Sequence, residues 1–379
     1  IQSIQPDRLQ TMRIFSAPKP QERLSLVTSI QFVVELEFLT PPVSDEQTVP
    51  DRDRSFHYFA SALQDAGLQA AFLLEEKNKK EENYPEVNDQ VNDNDRDTDG
   101  QMTESQLLAQ APRGSIIKTK HNGNMFIMSP QSSIPWIKAG AKDNPLLRYW
   151  LINPDSNISG HGQHETWHPT ALTSPILRES EANNLFPGLN TAIYTIWTAH
   201  SARVHINDAC GLHVHRQDLT TLQVQRVATL VVVLENSLLF HLCSPHRRQI
   251  HTQLIAASGL AYATNSPTCP LAEANLPPNI LKGTGAVEKA IKFLWTASDL
   301  DQISQMLSRH PKTRDTRPTA LRINTHKHED DTVSHMLEFR HAQAAFNQGF
   351  VDNWVRLVLT VCKVAFLPTE RFKLVVAML

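Results

Sequence analysis

The chain has 379 residues, 41% hydrophobic and 20% charged, with a formal net charge of -3 at pH 7. That balance suits one large globular domain with an insertion, or two domains, and gives no overall field that would draw nucleic acid or an anionic membrane surface. The four cysteines, Cys210, Cys243, Cys269 and Cys362, are scattered with no CxxC, which predicts reduced thiols and a cytoplasmic setting. No apolar run reaches the length of a membrane span, and no basic-then-apolar leader opens the sequence, so no membrane partner is expected.

Residues 1–28 are polar and interrupted by proline, and read as an N-terminal arm. Residues 29–39 alternate strictly. Ile30, Phe32, Val34, Leu36 and Phe38 form one face of a strand, while Glu35 and Glu37 project together from the other. Residues 53–66 fit a helix stopped by Gly67, and residues 69–74 a short strand. Residues 75–111 are rich in Glu, Asp, Asn and Lys. They carry too little apolar surface to order themselves, which predicts a disordered insertion. Strand patterning returns at 115–128, 147–153 and 171–177, the last closed by Pro175. Residues 185–201 read as a helix.

Cys210-Gly-Leu-His-Val-His215 follows, with His213 and His215 two residues apart. In a strand both imidazoles share a face, and Leu212 and Val214 turn to the core. Helical spacing then runs from Leu219 to Leu238, with Asp218 as the expected N-cap. Residues 244–248 form a basic turn with Arg247 and Arg248, and residues 265–285 read as a Pro-rich loop. Residues 320–325 and 336–340 are short strands, the second with Glu338 and Arg340 on one face. Phe350 to Ala365 mark an amphipathic helix with Trp354 and Cys362 on its buried stripe.

Three strands thus repeat one design, Glu35/Glu37, His213/His215 and Glu338/Arg340, each spaced i, i+2. If they are neighbours, one face gathers three carboxylates, two imidazoles and a guanidinium. Such a mixed set suits Mg²⁺ or Mn²⁺ better than zinc, and the arginine suggests an anionic ligand such as phosphate beside the metal. Neither a P-loop nor a GxGxxG fingerprint is present, so a nucleotide would have to be held by the sheet.

The segments FVVELEF (residues 32–38), CGLHVH (210–215) and LEFR (337–340), the last followed by a helix carrying Asn353-Trp354, resemble the amidoligase family found widely in fungi. That family is similar to glutamine synthetase and glutamate-cysteine ligase. The resemblance spans residues 29–365 apart from the insertion, and makes 29–379 a catalytic domain. It implies an α+β fold: a curved antiparallel sheet with a polar catalytic face and helices packed outside. It implies Glu35, Glu37, His213 and Glu338 as metal ligands, with His215 beside them, and Arg340 on phosphate. Asp155 matches an acidic position downstream of Trp150, and Arg247 and Arg248 match a basic turn near phosphate or substrate carboxylate. The implied reaction uses ATP and Mg²⁺ or Mn²⁺ to activate a carboxylate as an acyl phosphate, which an amine converts to an amide. The carboxylate and the amine belong to small molecules or peptides. Where the family pattern has a second acidic residue this chain has Ala171, with Glu165 nearby; it has Val33 where glycine is common and Arg216 where a small residue is common. Besides an active ligase, two readings remain open: a non-catalytic binding protein of the same fold, and a metal-dependent enzyme that uses no ATP.

Overall fold

The computed structural model describes residues 30–42, 51–74, 116–119, 125–128, 148–199, 203–217, 219–262, 268–310, 317–327 and 333–379. The arm at 1–28, the insertion at 75–111 and Asp218 lie outside these residues.

The alternating segments form one ten-stranded sheet. Its strands are β1 (Gln31–Thr40), β2 (Ala70–Leu73), β3 (Ile116–Thr119), β4 (Met125–Met128), β5 (Trp150–Pro154), β6 (His168–Thr173), β7 (Leu177–Arg178), β8 (Gly211–Gln217), β9 (Leu321–Lys327) and β10 (Val333–Gln343). The order is β4-β3-β2-β5-β6-β1-β8-β10-β9, with β7 also pairing β1. All pairs are antiparallel except β2 with β5, so the sheet is mixed rather than wholly antiparallel. The expected strand at 115–128 is two strands paired with each other.

Helices supply the core on one face. They are α1 (Asp51–Asp65), α2 (Pro187–Thr198), α3 (Thr221–Leu234), α4 (Pro270–Asn275), α5 (Pro278–Lys282), α6 (Ala286–Leu294), α7 (Leu300–Leu307), α8 (Gln348–Ala365) and α9 (Thr369–Met378). Ile30 and the β1 residues Phe32, Val34, Leu36 and Phe38 are all buried beneath them, together with Leu212 and Val214 of β8. Burial of each large side chain contributes about 1.5–3 kcal/mol, which fixes the register of the alternating strands against a one-residue slip. Trp354 and Cys362 lie in this core as expected, and all four cysteines are free thiols.

Two expectations change. Residues 265–285 are not all loop: α4 and α5 each begin with proline in the first turn, where the missing N–H costs nothing. The cap of α3 is Thr220, whose hydroxyl accepts from the Gln223 amide while the Gln223 side chain returns the bond. Among the described residues no helix is long and apolar enough to cross a membrane.

Candidate metal and anion site

Cross-strand partners share a face, so the pairing register decides what the polar face collects. Glu35 lies opposite His213, Val33 opposite His215, His215 opposite Glu338, and Glu338 opposite Arg322. The three i, i+2 pairs of the sequence therefore stand side by side on the central strands β1, β8 and β10. On the far side of β1, Glu37 faces Ala171, which in turn faces Asn153 of β5.

Arg340 shares this face with Glu338 by alternation and sits in a β-bulge. Phe339 pairs with Val214 and Ala342 with Leu212, so β10 carries one residue more than β8 between these points. Bulges re-aim side chains beside functional sites. Here Arg340 points into the polar cluster, while the next residue, His341, is buried on the helical side with its Nε2 3.3 Å from Glu235 Oε1.

The centre of the cluster is His213. Its Nδ1 lies 3.1 Å from Glu35 Oε2, 3.3 Å from Glu338 Oε1 and 3.5 Å from Glu37 Oε1. His215 Nε2 is 3.1 Å from the same Glu35 oxygen. Glu35, His213, His215 and Glu338 each offer one ligand atom, all within 4.8 Å of one another. Glu37 stands apart from that set. Its Oε2 accepts the Gly211 amide at 2.6 Å, so its expected role as a direct ligand has a competitor in the backbone. Glu338 is engaged on both oxygens, by Arg340 on one and by Arg322 and Asn324 on the other.

Ionisation follows from these contacts. Burial alone would raise Glu35, but the hydrogen bonds to His213 and His215 outweigh it and hold the carboxyl well below its usual range. Glu338 likewise falls, because His213, Arg340, His215 and Arg322 overcome its burial. Glu37 goes the other way: burial and then Asp155 push it well up, against Arg340 and Arg247. Burial and Arg340 push His213 down to about 4, while burial of His215 is outweighed by Glu35 and Glu338 and its pKa rises.

A cavity of about 400 Å³ opens beside the cluster. Arg247, Arg309, Arg317, Arg322 and Arg340 line it, with Glu37 and His251. Arg247 and Arg340 are almost fully buried. Arg247 Nη1 donates to the Ala209 carbonyl at 2.8 Å and Nη2 lies 3.2 Å from His213 Nε2. It occupies space that only a glycine at 211 leaves open, since a Cβ there would overlap both its guanidinium and the His213 ring. Arg317 Nη1 donates to the carbonyls of Arg248, Gln249 and Thr252, holding the single π-helical turn Arg247–His251 against the cavity. The cavity lining thus carries five guanidiniums and one carboxylate, a balance that suits a multiply charged anion.

The expected residues divide accordingly. Glu35, His213, His215, Glu338, Arg340, Glu37 and Arg247 come together. Asp155 is close enough to Glu37 to raise its pKa, and its Oδ1 accepts the backbone and side-chain N–H groups of Asn157, both at 2.8 Å. Arg248 is a correction: its side chain is exposed and does not line the cavity, and its carbonyl is what contributes. Glu165 is exposed and makes no bond to the cluster, so it does not replace the carboxylate missing at Ala171. Arg216 lies on the opposite face from His213 and His215 and donates to the Gln31 carbonyl, which removes it from the site. Arg322 and Asn324 were missed, although they repeat the i, i+2 pattern on β9; Arg309 and Arg317 sit outside strands, where alternation carries no signal.

No family model matches the chain, and no curated protein matches it.

Proposed function

We propose that the protein is an ATP-dependent carboxylate-amine ligase with a glutamine-synthetase-like catalytic sheet, acting on a small molecule or peptide. The observation that carries this reading is adjacency: of the five arginines that line the cavity, Arg247, Arg322 and Arg340 also contact the carboxylate–imidazole cluster directly. A triphosphate and its cation need those two environments side by side. The cavity volume also falls within the range of ordinary ligand pockets.

The donor set fits a hard divalent cation. Glu35, Glu338, His213 and His215 supply carboxylate oxygens and imidazole nitrogens within bonding reach of a common centre. Once bound, Mg²⁺ or Mn²⁺ would neutralise phosphate oxygens and draw charge from them. The chain's own residues do the rest. Arg340, whose buried Nε lacks a hydrogen-bond partner, presents a donor to an anion. Arg247, Arg309, Arg317 and Arg322 surround the remaining phosphate charge, in place of a Gly-rich loop. Glu37 and the nearby Asp155 form the acidic end of the site, suited to an ammonium group.

A second reading has one observation in its favour. Glu338 is already satisfied by Arg340, Arg322 and Asn324, so the cluster neutralises itself in part without a cation. This favours a non-catalytic anion-binding protein. A screen of ATP hydrolysis against pooled amino acids and polyamines, with mass detection of amides, separates the two. Amide formation with stoichiometric ADP supports the ligase. ATP binding with no turnover on any pool supports the binding protein.

A further inference from the structure

His251 lines the cationic cavity yet takes no part in the cluster around His213. It ends the π-helical turn that begins at Arg247, so the same backbone positions both side chains. Its Nε2 is buried and lies 3.6 Å from Oδ2 of Asp208, on the turn leading into β8. Every other basic side chain lining the cavity is a guanidinium, which cannot accept a proton. The geometry points to His251, with Asp208 beside it, as the proton acceptor for the attacking amine; this rests on the ligase reading above. The charged groups around it agree. Burial first, then Arg247 and His161, lower its pKa against the pull of Asp208, so the ring is neutral and basic at neutral pH.

The chemistry requires such a group. Alkyl amines are ammonium ions at neutral pH and have no lone pair to attack with. As the nitrogen forms its bond to the acyl carbon, the carbon–oxygen bond to phosphate breaks and the phosphate leaves with that electron pair. Of the two protons that the ammonium nitrogen gives up, one passes to His251 and the other leaves on hydrogen phosphate.

The test compares two acceptors on the full chain with MgATP and pooled amino acids as carboxylate donors. Putrescine is protonated at neutral pH and needs a base; hydroxylamine is mostly unprotonated and does not. His251→Gln is expected to lower amide formation from putrescine about 100-fold while hydroxamate formation changes by less than about 3-fold. Retained hydroxamate also shows that the variant folds. In addition, NMR titration of the His251 ring without nucleotide is expected to give a lower pKa in Asp208→Asn than in the parent. Equal loss of both products, or an unchanged amide rate, overturns the role of His251 alone. An unchanged ring pKa in Asp208→Asn overturns the role of Asp208. A parent chain that makes neither product overturns the ligase reading and the base with it.

Discussion

Arg247 Nη2 faces His213 Nε2 at 3.2 Å, so a nitrogen that can only donate meets a ring nitrogen that must accept. The His213 proton is therefore assigned to Nδ1, where the carboxylates of Glu35, Glu338 and Glu37 outnumber the one opposing donor, Arg340 Nη1 at 3.4 Å. A cation that takes Nδ1 requires the other tautomer, in which the neutral ring carries its single proton on Nε2, where it meets the guanidinium. Metal binding and the Arg247–His213 contact are thus antagonistic.

Arg247→Gln should accordingly tighten Mn²⁺ binding in the absence of nucleotide. The glutamine carbonyl can accept from Nε2–H, and one positive charge is removed. A gain on the order of 1–3 kcal/mol is expected. Calorimetric titration of Mn²⁺ into parent and variant checks it; weaker binding in a folded variant would place the cation elsewhere.

Ala171 lies directly opposite Glu37 on the polar face and is fully buried. A carboxylate at this position projects towards Glu37 and Asp155 rather than into the helical core. Ala171→Glu should bind Mn²⁺ more tightly than the parent and be destabilised without metal, because it adds a third carboxylate to a crowded acidic corner. Melting temperature with and without Mn²⁺ reads both effects. A well-folded variant with unchanged affinity would show that the position is not a vacated ligand.

Acid stability carries the signature of His213. Its pKa is lowered from 6.5 to about 4, so the native state holds the ring neutral while the unfolded chain takes up a proton below 6.5. The stability it contributes is complete above pH 6.5 and is lost as pH falls towards 4. His215 is shifted the other way and partly offsets this, so the comparison must be a difference. With chelator present, parent minus His213→Gln stability should shrink by on the order of 3 kcal/mol across that window. A pH-independent difference would mean that His213 is not held neutral.

Much of the site was legible because β-strands have a period of two. Glu35/Glu37, His213/His215 and Glu338/Arg340 declared themselves by apolar neighbours at the alternate positions. The core was legible for the same reason, and for the 3.6-residue period of α3 and α8. The bulge at Arg340 was not legible: it depends on pairing between β8 and β10, and nothing local in LEFR marks an extra residue. The cavity was hidden because Arg309 and Arg317 come from irregular segments that converge only in space. Arg248 was misplaced because a basic pair in a turn does not say which of two neighbours faces inward. Arg322 and Asn324 follow the same period-two rule on β9, but neither residue type is a usual metal ligand.

The proposed ligase needs one site that holds a divalent cation and a triphosphate together. Calorimetric titration of ATP into the full chain with Mg²⁺, with EDTA instead, and with Mg²⁺ in Arg340→Lys tests it most directly. Binding is expected to depend on Mg²⁺ and to weaken by on the order of 2–4 kcal/mol in Arg340→Lys, where the charge stays but the planar fork is lost. ATP binding that is indifferent to Mg²⁺ and to Arg340→Lys, or no binding at all, would contradict it.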